Sequence, residues 1–378
     1  MNGSPASLQI GLIASAQQTS GSDRYYFDLV RALQARGARV DGVLLGDPSA
    51  VEEPVAGIRS FAPEGSGALR RWRGLRRTVR PLVAGNDVVF AHLAAHVFPV
   101  LDIIRDRPLV EHFHGPWALE ARYAKLPART IALRSVQERS VYGRAKRIVV
   151  LSESFGAVLQ REYRVSEDKI RVVPGGVDVA RFAPAVSRDE ARERLALPAG
   201  RQIVVSVRRL ESTKGLDRLV EAAEIVRRDV PDVLFVIAGT GSLAGALAAR
   251  VKERELESHV RFAGKIDDAA LALLYRAADL SVVPSQAWEG FGLTCLESLA
   301  SGTPVMVTPV GGLPEAVREL DPGAIFAGTS ARDIASGLRD ALLGRTRLPS
   351  ESECLAYARG FAWATIAERV EAVYREVV

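Results

Sequence analysis

The sequence predicts an α/β protein in two halves, each a parallel sheet covered by helices on both faces. Three observations carry that expectation. Short apolar runs alternate with amphipathic stretches from end to end, the alternation breaks once near Asp178–Arg201, and it then resumes with the same grammar. In the first half the strands are expected at Leu8–Ile13, Ala38–Leu44, Asp87–Ala91, Leu109–His112 and Arg147–Leu151, with a helix over Asp23–Arg36. Pro184, Pro198 and Gly200 mark the break. Strands then return at Arg201–Val207, Val233–Ala238, Val260–Ala263, Leu280–Val283 and Pro304–Thr308, separated by helices such as Leu216–Arg228 and Asp267–Ala277. The spacing of Ile366, Val370, Val373 and Val377 predicts a closing helix. The expected organisation is a Rossmann-like domain over residues 1–185, a second over 186–360, and a helix over 361–378 that packs back on the first. In such sheets ligands bind beyond the carboxyl ends of the strands.

Composition sets the outer bounds. The 378 residues are 48% hydrophobic and 25% charged, and no apolar run reaches the length of a membrane span. The start lacks a basic region followed by an apolar run, so a cytoplasmic location is expected. Cys295 and Cys354 form no zinc or disulfide spacing. Residues 1–185 hold 26 basic against 18 acidic side chains, and the remainder holds 24 against 27. The positive field of the first half would attract an anionic acceptor or an anionic membrane surface.

Chemistry concentrates in the second half. Glu289 and Glu297 stand eight positions apart, with Gly290-Phe291-Gly292 directly after the first. Leu293–Ala300 reads as a helix, and a helix start preceded by glycine offers free N–H groups and roughly half a positive charge to an anion. Carboxylates on either side can bind hydroxyls. That combination suits a sugar joined to a nucleoside diphosphate. Arg208-Arg209-Leu210-Glu211-Ser212-Thr213-Lys214-Gly215 follows the first strand of the same half, and its cations are suited to a diphosphate leaving group. Read alone, the segment is equally a solvated basic turn.

The ordered set of motifs resembles a known family. Ser20-Gly21, His114-Gly115-Pro116, Pro174-Gly175-Gly176-Val177-Asp178 and Arg209…Lys214-Gly215 come first. Gly239-Thr240-Gly241, Glu289…Glu297, Gly311-Gly312-Leu313-Pro314-Glu315 and Phe361-Ala362-Trp363 follow. In this order they resemble glycosyltransferase family 4, retaining enzymes of the GT-B fold that use nucleotide sugars. The resemblance spans nearly the whole chain. It implies that Arg209 and Lys214 hold the diphosphate, that Glu297 accepts from the ribose, and that Glu289 contacts hydroxyls of the donor sugar. Backbone N–H groups of Phe291, Gly292 and Leu293 would complete the cradle. Gly21, Gly239 and Gly241 would let backbone approach the donor, and Arg261 to Gly264 would wall the base. UDP and GDP are the leading donor nucleotides, and no metal or further cofactor is implied. Two positions depart from the family pattern: Arg208 replaces a common Gly, and Gly175 a common Asn. Arg208 leaves open which of two adjacent arginines faces the phosphate.

His92, His96, His112 and His114 fall close together. Imidazole is a frequent zinc ligand, but carboxylates and cysteines at matching spacing are missing, so no metal is expected. His114 instead is expected at a strand end, facing the interdomain cleft, where it would stabilise the donor sugar or developing positive charge. His112 is expected to point elsewhere. His92 would line the acceptor side or serve the fold. Arg70–Arg80 packs six arginines around Trp72, Leu75 and Val79. It reads either as a surface helix whose apolar stripe packs on the sheet or as a contact for anionic lipid. Nucleic acid is not expected, since no recognised module accompanies the patch.

The expected reaction is sugar transfer with retention to a hydroxyl of a glycan, lipid or small molecule. Loops at 17–24, 92–96 and 115–126 would line that acceptor. A two-lobed binding protein without turnover, or an epimerase or phosphorylase of the same fold, are the alternatives.

Overall fold

The computed structural model describes residues 4–14, 21–50, 54–183 and 186–378. The chain divides into two units, Met1–Gly176 with Trp363–Val378, and Val177–Ala362. Both are α/β with parallel sheets, as the alternation of apolar and amphipathic segments predicts.

The first unit is built on β1 (Ser7–Ala14), β2 (Val40–Gly46), β3 (Ile58–Ala62), β4 (Val88–Ala91), β5 (Leu109–Phe113), β6 (Arg147–Val150) and β7 (Ile170–Val172). They run in the order β3-β2-β1-β4-β5-β6-β7, and every pair is parallel. The order reverses between β1 and β4. β4 and β5 are buried along their whole length; β4 is an unbroken apolar run, whereas β5 buries Glu111 and His112 among its apolar residues. The two outermost strands, β3 and β7, carry no such signal. β3 exposes Arg59 and Ser60, as edge strands commonly do.

The closing helix, Trp363–Arg375, belongs to this unit and packs against the Gly21–Ala35 helix. Ile366, Val370 and Val373 are buried at the spacing the sequence shows. Two motifs distant in sequence meet here. Gly176 lies so close to the Trp363 ring that a Cβ would stand 2.5 Å from it, so only glycine fits. Glu371 is buried on the inner face of the helix and accepts from Arg36 (3.2 Å), Arg375 (3.2 Å) and Ser4 (3.0 Å).

The arginine-rich segment forms the helix Ala68–Val83. Leu75, Val79 and Leu82 pack into the core of the unit, but Trp72 does not follow them and is 45% exposed. The Arg76 guanidinium lies over its ring at 5.1 Å and also pairs with Asp102. Among the described residues no helix is long and apolar enough to cross a membrane.

The second unit carries β8 (Gln202–Val207), β9 (Val233–Ala238), β10 (Val260–Gly264), β11 (Leu280–Val283) and β12 (Val305–Val307), in the parallel order β10-β9-β8-β11-β12. Its reversal falls between β8 and β11. The chain leaving β8 and the chain leaving β11 therefore run side by side at the carboxyl edge, where a ligand crevice is expected.

Glu371→Ala should cost the first unit about 1–3 kcal/mol. The carboxylate is buried, but its arginine partners are 31% and 45% exposed and can recover water. Chemical denaturation of wild type and variant measures the difference; equal midpoints would contradict the role given to this residue.

Candidate functional site

β8 ends at Val207, and the chain turns through Arg208–Gly215 into the helix Leu216–Val226. Beyond β11, the loop 284–292 leads into the helix Leu293–Ala300. The two loops touch through glycine. Gly215 has φ +68°, and a Cβ there would stand 1.9 Å from the Pro284 carbonyl oxygen. Gly311 has φ +56°, and a Cβ there would stand 2.1 Å from the Glu289 carbonyl oxygen, which also accepts from the Gly312 N–H (2.9 Å). L-residues with side chains rarely adopt such angles, so three separate loops are pinned around Glu289.

The Glu289 side chain is buried and pairs with both Arg208 and Lys214 through one carboxylate oxygen. Arg208 is itself buried. It donates to Ser285 Oγ (2.8 Å) and to Thr294 Oγ1 (3.1 Å), which lies in the first turn of the following helix. Burial alone would raise the Glu289 carboxyl. Arg208 and Lys214 overcome that and hold it at about 2. Lys214 fares differently. Burial lowers its pKa, and although Glu289 pulls the other way, Arg208 and Arg209 add repulsion. The carboxylate gains from the cluster, while burial and the neighbouring arginines cost the ammonium more than Glu289 returns.

No side chain caps the Leu293–Ala300 helix at Gly292, whose φ is +85°. Phe291 is buried with its ring 5.7 Å from that of Phe361, and Leu293 is half-buried at the helix start. Glu297, one turn further on, is buried and accepts from the Tyr275 hydroxyl (3.2 Å). Arg208, Lys214, the exposed Arg209 and an uncapped helix start therefore sit together, with the carboxylates of Glu289 and Glu297 beside them. Such a place can hold an anion and hydroxyls.

The two adjacent arginines take opposite positions. Arg208 is buried on Glu289, whereas Arg209 is exposed. The sequence leaves open which of the two arginines faces the phosphate, although a usable signal exists. Residues two apart on a strand share a face, and Ser206 bonds to the β11 carbonyl of Val282 (2.9 Å), so Arg208 follows it toward the β11 loop. Ser285 and Thr294 were also missed; nothing in their local sequence marks them.

Three expectations change. Gly239 and Gly241 accommodate the protein's own backbone: a Cβ would stand 2.0 Å from the Arg208 carbonyl oxygen at Gly239 and 2.5 Å from that of Leu210 at Gly241. They seat the Arg208–Leu210 turn. Arg261 is exposed and donates to the Ala196 carbonyl (3.2 Å). Gly21 opens the Gly21–Ala35 helix, and among the described residues nothing lies within 4 Å of an added Cβ; Ser20 and the rest of its loop lie outside the described residues.

In the first unit the histidines gather. His92 stacks on His112 (centroids 4.6 Å apart) and on His114 (5.3 Å). His112 thus shares the face of His114 instead of pointing elsewhere, as the two-residue period of an extended chain requires. His92 is buried and His114 partly exposed. His96 is bonded to the Gly11 carbonyl (2.8 Å).

Comparison with known proteins follows this geometry. Residues 19–181 match the family described as Glycosyltransferase Family 4, and residues 187–360 match Glycosyl transferases group 1. A D-inositol 3-phosphate glycosyltransferase from Nocardia farcinica is 36% identical over 308 residues, covering 78% of this chain and 67% of the relative. One of the same name from Corynebacterium aurimucosum is 33% identical over 318 residues, covering 81% and 75%. Among solved structures, sucrose-phosphate synthase from Thermosynechococcus elongatus superposes with a TM-score of 0.80 over 98% of both chains at 24% identity. Anabaena HepE in complex with UDP and glucose gives 0.80 over 98% of this chain and 100% of that chain, at 19% identity. These likenesses establish the GT-B fold.

A carboxyl lowered from 4.5 to about 2 contributes stability in full above pH 4.5 and loses it as pH falls toward 2. Acid titration of thermal unfolding should show the second unit softening across that window. Arg208→Met removes one cation and should move the loss to higher pH; coincident profiles would count against the clasp.

Proposed function

Because this chain belongs to glycosyltransferase family 4, we propose that it transfers a sugar from a UDP-sugar to a hydroxyl of a phosphorylated polyol, with retention at the anomeric carbon. One observation carries the donor assignment: two buried cations share one carboxylate beside an uncapped helix start. A diphosphate is the anion that such a place suits. Lys214 and the exposed Arg209 bind it, with the backbone N–H groups of Phe291, Gly292 and Leu293. Glu297 accepts from the ribose, and Glu289, oriented by Arg208, faces hydroxyls of the transferred sugar.

UDP is the nucleotide in the solved complexes of HepE, and the acceptor class follows the relatives named for D-inositol 3-phosphate. The basic first half suits such an anionic acceptor. Glu289 spends its charge on Arg208 and Lys214, so it is not a free nucleophile of the kind a retaining hydrolase places about 5 Å from its acid partner. The diphosphate instead leaves under stabilisation by Lys214, Arg209 and the helix start, and its departing oxygen takes the acceptor's proton on the same face. No metal takes part. His114 accepts a hydrogen bond from a substrate hydroxyl. Leu69 and Trp72, exposed beside Arg73, Arg77 and Arg80, give the first unit a peripheral contact with anionic lipid.

Thermal-shift measurement with UDP and GDP should raise the melting temperature more for UDP. Lys214→Ala or Arg209→Ala should then weaken UDP binding about tenfold to a hundredfold, the worth of a hydrogen bond to a charged group. Unchanged affinity in both variants would sink the donor assignment. With UDP-glucose and myo-inositol 3-phosphate, an α-linked product supports retention, and a β-linked product refutes it.

A further inference from the structure

The histidine cluster of the first unit forms a directed chain of hydrogen bonds. His92 Nε2 meets the Gln9 side-chain carbonyl oxygen Oε1 at 2.9 Å, and His92 Nδ1 meets His114 Nε2 at 3.0 Å. Gln9 Nε2 faces Ser7 Oγ and the Tyr374 hydroxyl, both at 3.3 Å. Both oxygens accept from the amide, which leaves its carbonyl facing His92. His112 bridges the hydroxyls of Tyr25 and Tyr374, each at 3.3 Å, and a hydroxyl can donate or accept. Among the cluster's polar partners, only the Gln9 carbonyl can do nothing but accept. It therefore sets the direction of the chain.

Burial pushes all three imidazoles below their ordinary range, His114 to about 4. Near neutral pH each ring has one donor and one acceptor nitrogen. His92 must donate from Nε2 to Gln9, so its Nδ1 is an acceptor. His114 must then donate from Nε2. Its Nδ1 is left with a lone pair and no hydrogen-bond partner among the described residues, on a ring that is partly exposed.

We propose that Gln9 and His92 are positioning residues that hold His114 in its Nε2–H tautomer, so that Nδ1 accepts from a substrate hydroxyl. Tyr374 extends this device to the C-terminal helix by orienting the Gln9 amide. The proposal rests on the hydroxyl-binding role given to His114 above, whereas the tautomer itself does not depend on which substrate binds. The other tautomer would point an N–H at the same place and compete for the hydroxyl oxygen. An imidazole acceptor instead orients the hydroxyl hydrogen and leaves its oxygen free.

The test is long-range 15N–1H correlation spectroscopy of histidine-labelled protein, with transfer kinetics on the same samples. Wild-type His114 should carry its proton on Nε2. Gln9→Leu, or Tyr374→Phe as the milder change, should give mixed tautomers and lower kcat about tenfold. Affinity for UDP, which has no transferred sugar, should stay unchanged in both. UDP-glucose and myo-inositol 3-phosphate, added separately, should reveal the source of the hydroxyl by which one moves the Nδ1 resonance. A wild-type ring protonated on Nδ1, unaltered tautomers in both variants, or an Nδ1 resonance moved by neither compound overturns the proposal. Failure of UDP to bind wild type would instead remove the donor assignment and leave the tautomer result standing.

Discussion

A buried carboxylate answering two buried cations is the constraint around which the second unit is arranged. Glu289 could not remain ionised in that position without Arg208 and Lys214, and neither cation could be buried without it. The requirement fixes more than three side chains. Gly215 brings the Lys214 turn against Pro284, Gly239 and Gly241 seat the Arg208–Leu210 turn, and Gly311 closes on the Glu289 backbone. Each glycine is needed because backbone lies where a Cβ would be. What results is a cluster of positioned charges next to a helix start that no side chain caps.

This arrangement separates binding from chemistry. A carboxylate already committed to two cations is a poor nucleophile and a good orienting group. Catalysis in the proposed reaction then comes from stabilising a departing diphosphate, which needs fixed positive charge more than a reactive side chain. The first unit contributes a different kind of group. His92 stacks on His112 and His114 and is hydrogen-bonded to His114, while Tyr374 ties His112 and Gln9 to the helix that closes the chain. A terminal helix that looks like packing alone thus also orients a polar network.

Much of the fold was legible in the sequence because both sheets are parallel and buried. Strands such as Val233–Ala238 and Leu280–Val283 were read to the residue, since runs of Val, Ile and Leu between turns have few other uses. Edge strands β3 and β7 escaped because half-exposed edges lack that run. The Leu293–Ala300 helix was also read to the residue, its glycine start giving it away. Side-chain direction was harder. The sequence puts His112 on the wrong face although a period of two sets it with His114, and it leaves open which of Arg208 and Arg209 faces the phosphate. The reach of Arg208 to Ser285 and Thr294 depends on how β8 lies beside β11, a relation between distant segments that local pattern does not hold. Gly239 and Gly241 looked like ligand positions for the same reason: sequence shows that a glycine is present, not which atom occupies the space beside it.

In the proposed reaction the charge cluster beside the Leu293–Ala300 helix holds a second phosphate. Calorimetric titration of the intact protein with UDP and, separately, with UMP tests it most directly. UDP should bind at least about tenfold more tightly, the worth of roughly one hydrogen bond to a charged group, and the gap should narrow as salt is raised. Equal affinities for the two nucleotides would contradict it.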